Sequence, residues 1–127
     1  MASSSIIETL RADYSRFPRE QSYDIYAEDV YFQDPMNEFR GVEKYRAMIG
    51  FIERWFKQPQ LELKSIEQLG SQITTRWTLS WTTPLPWKPR VSIPGWTEMQ
   101  LNKQGKIGSH IDHWDISKWD VVKQLRP

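Results

Sequence analysis

The sequence predicts a single α+β domain in which a curved antiparallel sheet packs on helices. Three features carry that prediction. Up to residue 56 the apolar side chains recur mainly every three or four positions, the spacing that gathers them on one face of a helix. Beyond Pro59 the spacing falls to two, the period of a strand with one buried face. The chain has 127 residues, enough to bury one core and too few for two, so residues 1–127 are read as one domain.

Taken in order, Ser5 and Glu8 form a capping-box pattern, and Ile6, Leu10, Tyr14 and Phe17 then make the inner stripe of a first helix that Pro18 stops. Tyr23 to Ala27 allows one more helical turn, and Val30 to Gln33 reads as a short strand closed by Asp34-Pro35. Val42, Tyr45, Ile49, Ile52 and Phe56 define a second, longer helix behind Gly41. Leu61 and Leu63 begin one strand. Ile73, Thr75, Trp77, Leu79 and Trp81 share one face of the next, across a turn near Gly70-Ser71. The three prolines between Thr83 and Arg90 require a long loop. Val91, Ile93, Gly95, Thr97, Met99 and Leu101 line one side of a third long strand, and Gln104-Gly105 turns the chain into a last strand over Lys106 to Trp114. Ser117 caps a short terminal helix through Val121 and Leu125.

Composition excludes several classes of function. Seventeen basic and sixteen acidic residues leave a formal charge of +1, which is no field for a phosphate backbone, so nucleic acid is not an expected partner. There is no cysteine, hence no disulfide, thiolate metal site or cysteine nucleophile. No apolar run is long enough to cross a bilayer and no secretory pattern opens the chain, so no membrane partner is expected and the cytoplasm is the expected compartment. Seven tryptophans point to a roomy aromatic interior or an aromatic contact surface.

Chemistry is concentrated near the end of the chain. His110 and His113 are three apart on a strand and face opposite ways, so they do not jointly hold an ion, and no metal or cofactor is expected. His110, Asp112 and Trp114 share one face. An imidazole and a carboxylate at i and i+2 can act as acid and base above an aromatic wall. Equally, Asp112 can pair with a helix arginine while His110 donates to a backbone carbonyl. Trp77 and Trp81 either fill the core or wall a pocket; Trp87 sits in the proline-rich loop, where it can roof a cavity mouth.

The residues IYAEDVYFQDPMNEFRGVEKY (25–45) and GKIGSHIDHWD (105–115), with the element order above, resemble the nuclear transport factor 2-like superfamily, which includes SnoaL-like polyketide cyclases and ketosteroid isomerases. With LPWKP (85–89) and GWTEMQLNKQGKI (95–107) the chain looks most like an uncharacterised domain family of cyanobacteria and plants. The resemblance implies a cone, a bent sheet wrapped on helices around a pocket, and a homodimer through the outer sheet face, where Trp96 falls. It implies that Asp34 stands where a general base stands, that Tyr14 matches an oxyanion donor, and that Thr97 replaces a second donor. The turn before Pro35 offers Asp34 another use, accepting backbone N–H groups. Asp34, His110 and Asp112 are therefore the candidate catalytic residues, and Tyr14, Trp77, Thr97 and Trp114 the candidate ligand contacts.

A fold of this kind licenses no single reaction. Three readings compete: a pocket for a small hydrophobic molecule, a cofactor-free lyase or isomerase moving a proton next to a carbonyl or hydroxyl, and a protein-interaction scaffold. The first two need a cavity, with or without a convergent titratable cluster, and the third predicts a small or filled one with an external apolar patch.

Overall fold

The computed structural model describes residues 2–127, with side chains from Ile6 onward. Helix α1 (Ala2–Arg16) leads through a 3-10 turn (Tyr23–Ile25) to β1 (Tyr26–Gln33), β2 (Glu38–Arg40), α2 (Val42–Trp55), β3 (Lys57–Leu69), β4 (Gln72–Thr82), β5 (Arg90–Leu101), β6 (Ile107–Trp114) and α3 (Lys118–Lys123). Because α1 begins at Ala2, Ser5 lies within the helix. Its side chain, and with it the predicted capping box, lies outside the described residues.

One six-stranded sheet runs in the order β2-β1-β6-β5-β4-β3. It is curved, unclosed and mixed: β1 and β6 run parallel, with Phe32 opposite His110, and every other neighbouring pair is antiparallel. The sequence predicts a wholly antiparallel sheet and omits β2. A parallel partner as far along the chain as His110 is from Phe32 leaves no local mark, and a three-residue strand carries no period. Helix α1 packs over β3 at one end of the sheet and α2 over β1 and β2 at the other, while α3 leans on β5. The middle of the concave face, over β4, β5 and β6, is left between the two long helices.

Burial follows the predicted faces. Leu10, Val30, Phe32, Ile49, Ile73, Met99 and Ile107 are almost wholly excluded from solvent, and the alternate residues Val91, Ile93, Gly95, Thr97 and Met99 of β5 all point inward. Two prolines sit inside strands for separate reasons. Pro59 lies on the edge strand β3 beside a register shift, where a missing N–H removes little. Pro94 lies on β5, and its carbonyl accepts from Asp115 N at 2.8 Å, just past the end of β6. Its nitrogen faces that same side, so the missing N–H falls where the β5–β6 ladder ends, past the Gly95–Trp114 pair.

Ser117 caps α3 as its sequence predicts, accepting the backbone N–H of Asp120 at 3.0 Å. Ser117→Ala is expected to cost about 1 kcal/mol of local helix stability. Hydrogen exchange of the α3 amides, faster in the variant with the β-sheet amides unchanged, checks it.

Candidate functional site

Between the concave face and the two long helices lies a cavity of about 870 Å³, its wall mostly apolar. That volume is within the range of small-molecule pockets. Met36, Phe51 and Val122 line it and are also exposed, which locates its mouth among the β1–β2 turn, α2 and α3.

Six polar side chains of the interior, Trp77, Thr97, Asp112, His110, Tyr26 and Tyr45, form one connected line. The Trp77 indole N–H donates to Thr97 Oγ1 at 2.7 Å, and the Thr97 hydroxyl donates to Asp112 Oδ1 at 2.5 Å. His110 Nε2 meets the same oxygen at 2.9 Å. A carboxylate only accepts, so Nε2 carries the proton. In the neutral ring Nδ1 then accepts from the Tyr26 hydroxyl at 3.2 Å, and Tyr26 in turn accepts from Tyr45 at 3.2 Å. Register explains the meeting: β5 and β6 set Thr97 opposite Asp112 and Gly95 opposite Trp114, and β4 and β5 set Trp77 opposite Gly95. Gly95 leaves the space that the Trp77 ring occupies. Both protein donors reach Asp112 through Oδ1, so Oδ2 of this cavity-lining residue has no protein partner among the described residues; the side chain keeps 20% of its exposure, against 8% for His110.

Tyr14 hydrogen-bonds Thr75 at 2.7 Å within the same interior. Burial pushes the Tyr14, Tyr26 and Tyr45 hydroxyls well above the ordinary phenol range, so all three stay neutral donors at any moderate pH. Asp13, also on the cavity wall, is pushed up by desolvation despite the Ser22 amide and hydroxyl and the Arg16 guanidinium 2.8 Å away.

Asp34 is placed apart from this line. It lies at the cavity wall beside exposed Met36, and its Oδ1 accepts the N–H groups of Met36 at 2.7 Å and Asn37 at 2.6 Å, the second use open to it before Pro35. Both of its oxygens also face the Asn37 amide, at 3.1 and 3.2 Å. The structure thus brings together His110, Asp112, Thr97 and Trp77, sets Tyr14 and Trp114 on the same wall, and keeps Asp34 in a turn. No arginine or lysine pairs with Asp112 among the described residues, and His110 bonds side chains rather than a carbonyl. Tyr26, Tyr45 and Thr75 are partners that the sequence reading did not single out. The available signal was a tyrosine, rather than phenylalanine, at buried positions.

Outside the cavity, His113 stacks on Trp96 with ring centroids 4.1 Å apart and meets Glu98 at 2.7 Å on the outer face. Trp87 does not line the cavity; its indole donates to the Leu125 carbonyl at 2.8 Å, tying the proline-rich loop to the end of the chain. Among the described residues no group of three His, Asp or Glu side chains is placed to hold a metal ion, and no helix is long and apolar enough to cross a membrane.

The cone of helices on a bent sheet, with its interior pocket, is the nuclear transport factor 2-like fold, and solved structures agree with it. An NTF2-like protein of unknown function from Burkholderia pseudomallei superposes with a TM-score of 0.76 at 16% identity, over 95% of this chain and 97% of its own. A putative polyketide cyclase from Xanthomonas campestris gives 0.76 at 12% identity, over 97% and 96%. An epoxide hydrolase from M. tuberculosis gives 0.73 at 14% identity, over 98% and 89%. No curated protein matches the chain in sequence. Residues 4–110 match the model of the uncharacterized conserved protein family DUF2358, and the chain belongs to that family.

Proposed function

We propose that this protein binds a small hydrophobic molecule in the cavity, with Asp112 as the orienting polar contact and Tyr14, Trp77, Thr97 and Trp114 around it. The observation that carries the reading is the cavity itself: about 870 Å³, walled by apolar side chains, with a polar line that converges on Oδ1 of Asp112, a residue of the wall whose other oxygen has no protein partner among the described residues. Many apolar contacts with few placed polar groups are what small-molecule recognition uses. A cavity of that size also counts against the scaffold reading, which needs it small or filled.

Three indoles report on occupancy, because Trp77, Trp81 and Trp114 all line the space. Titration with a panel of apolar alcohols, ketones, amines and pigments is expected to quench tryptophan emission saturably, with affinity rising with the apolar area of the ligand. A folded protein whose emission answers to none of them ends this reading and turns attention to the outer face. There Trp96 and His113 support a homodimer, a separate proposal that sedimentation equilibrium tests.

A second reading, cofactor-free proton transfer by a lyase or isomerase, has one specific observation in its favour. Asp112 is held through Oδ1 by His110 and Thr97, and its other oxygen, on a residue of the cavity wall, has no protein partner among the described residues, which suits an oriented base. Asp34, with one oxygen committed to turn amides, is in this reading an acceptor at the rim. Turnover that Asp112→Asn abolishes while quenching by the same compound persists distinguishes this reading from simple binding.

A further inference from the structure

We propose that the ligand of this cavity is an organic amine, bound as its ammonium cation with the nitrogen at Asp112 and the apolar body against the indoles. The inference rests on the cavity being a ligand site and adds the chemical class. It follows from which polar functions are left over. Along the interior line the Trp77 N–H, the Thr97 O–H and the His110 Nε2–H are all committed to protein acceptors. Asp112 lines the space and its Oδ2 has no protein donor among the described residues, so this line leaves an acceptor for a ligand.

The charges on the wall are predominantly negative. Asp13, Asp34 and Asp112 line the cavity, and Lys118, at the α3 end, is its sole ammonium group among the described residues. Asp13 is matched by Arg16 and Ser22, and Asp34 by the amides of its own turn. Among the described residues Asp112 has only a histidine and a hydroxyl, with no lysine or arginine within ion-pair distance. An anionic ligand would meet like charge there. A neutral alcohol would supply one ordinary hydrogen bond, and an ammonium group supplies a charge-assisted one. Trp114, two residues along the same strand face, and Trp77, bonded to Thr97, add indole faces that attract a cation.

The test compares octylamine, octanol and octanoate, which differ only in the head group, by calorimetry and tryptophan quenching at neutral pH, on the wild type and on Asp112→Asn. Octylamine is expected to bind about tenfold or more tighter than octanol, with octanoate weakest. In Asp112→Asn the amine preference is expected to fall to roughly threefold or less. Octanol or octanoate binding as tightly as octylamine overturns the inference while leaving the pocket reading intact. So does an amine preference that survives in Asp112→Asn. Failure of all three compounds to bind the folded wild type removes both. The wild-type ranking needs no variant, so the inference stays testable if Asp112→Asn does not fold.

Discussion

Gly95→Ala is expected to destabilise the protein by about 1–3.5 kcal/mol and to weaken ligand quenching, whereas Gly50→Ala stabilises it by about 0.5–1 kcal/mol. A β-carbon on Gly95 would lie 2.4 Å from the His113 carbonyl oxygen and 2.6 Å from the edge of the Trp77 ring. Neither neighbour yields easily. The carbonyl belongs to the backbone of β6, and the buried indole is tied by its N–H to Thr97. Relief therefore needs a shift of β6 against β5, at the register that sets Thr97 opposite Asp112. Overpacking of this kind costs about 1–3 kcal/mol, and loosening the Trp77–Thr97 bond adds about 1, less about 0.4–1 recovered from the stiffer unfolded chain. Gly50 lies within α2, exposed, with nothing near its missing β-carbon, so there only the propensity gain remains. Urea unfolding of the two variants reads both signs; equal effects would mean that Gly95 is not holding the space for Trp77.

That pair of glycines also shows what the sequence makes legible. The faces of β4 and β5 follow from alternation, so Trp77 and Thr97 are both assigned inward from their strands alone. His110 and Asp112 are likewise placed together by their i, i+2 spacing. The contacts that join these pairs are not local. Thr97 reaches Asp112, and Trp77 comes to lie over Gly95, only through the register of three strands, and no residue pattern within one strand encodes register against another. Tyr26 was hidden for a different reason: the turn before it has helical spacing, and the strand it opens pairs parallel with a segment at the other end of the chain. Asp34 shows a local rule at work, since Asp-Pro-Met-Asn carries its own turn chemistry and the side chain follows it. Helices α1 and α2 were legible because their apolar stripes are self-contained.

The buried tyrosines of the same interior make the protein's stability fall steeply at high pH. Tyr14, Tyr26 and Tyr45 have their hydroxyls raised above the ordinary value of 10.0 chiefly by burial, and ionisation is favoured only once the chain unfolds. A folded pKa above the unfolded one gives stability that is fully present below about pH 10 and is lost as the pH climbs toward the folded values. With three such groups the loss approaches about 4 kcal/mol per pH unit above that point. Tyr31, open to solvent and raised by its bond to Glu38, and Tyr23, partly buried under Arg46, titrate without unfolding. Absorbance at the phenolate band is therefore expected to rise in two stages, two tyrosines reversibly in the folded protein and three together with the loss of tryptophan circular dichroism. Replacing Tyr26 by Phe removes one of the three, shallows the pH dependence by about a third, and leaves His110 Nδ1 without its donor. Five tyrosines titrating together below pH 11, with the fold intact, would show that water reaches the hydroxyls of this line and that the interior around His110 is not the dry wall from which Asp112 faces its ligand.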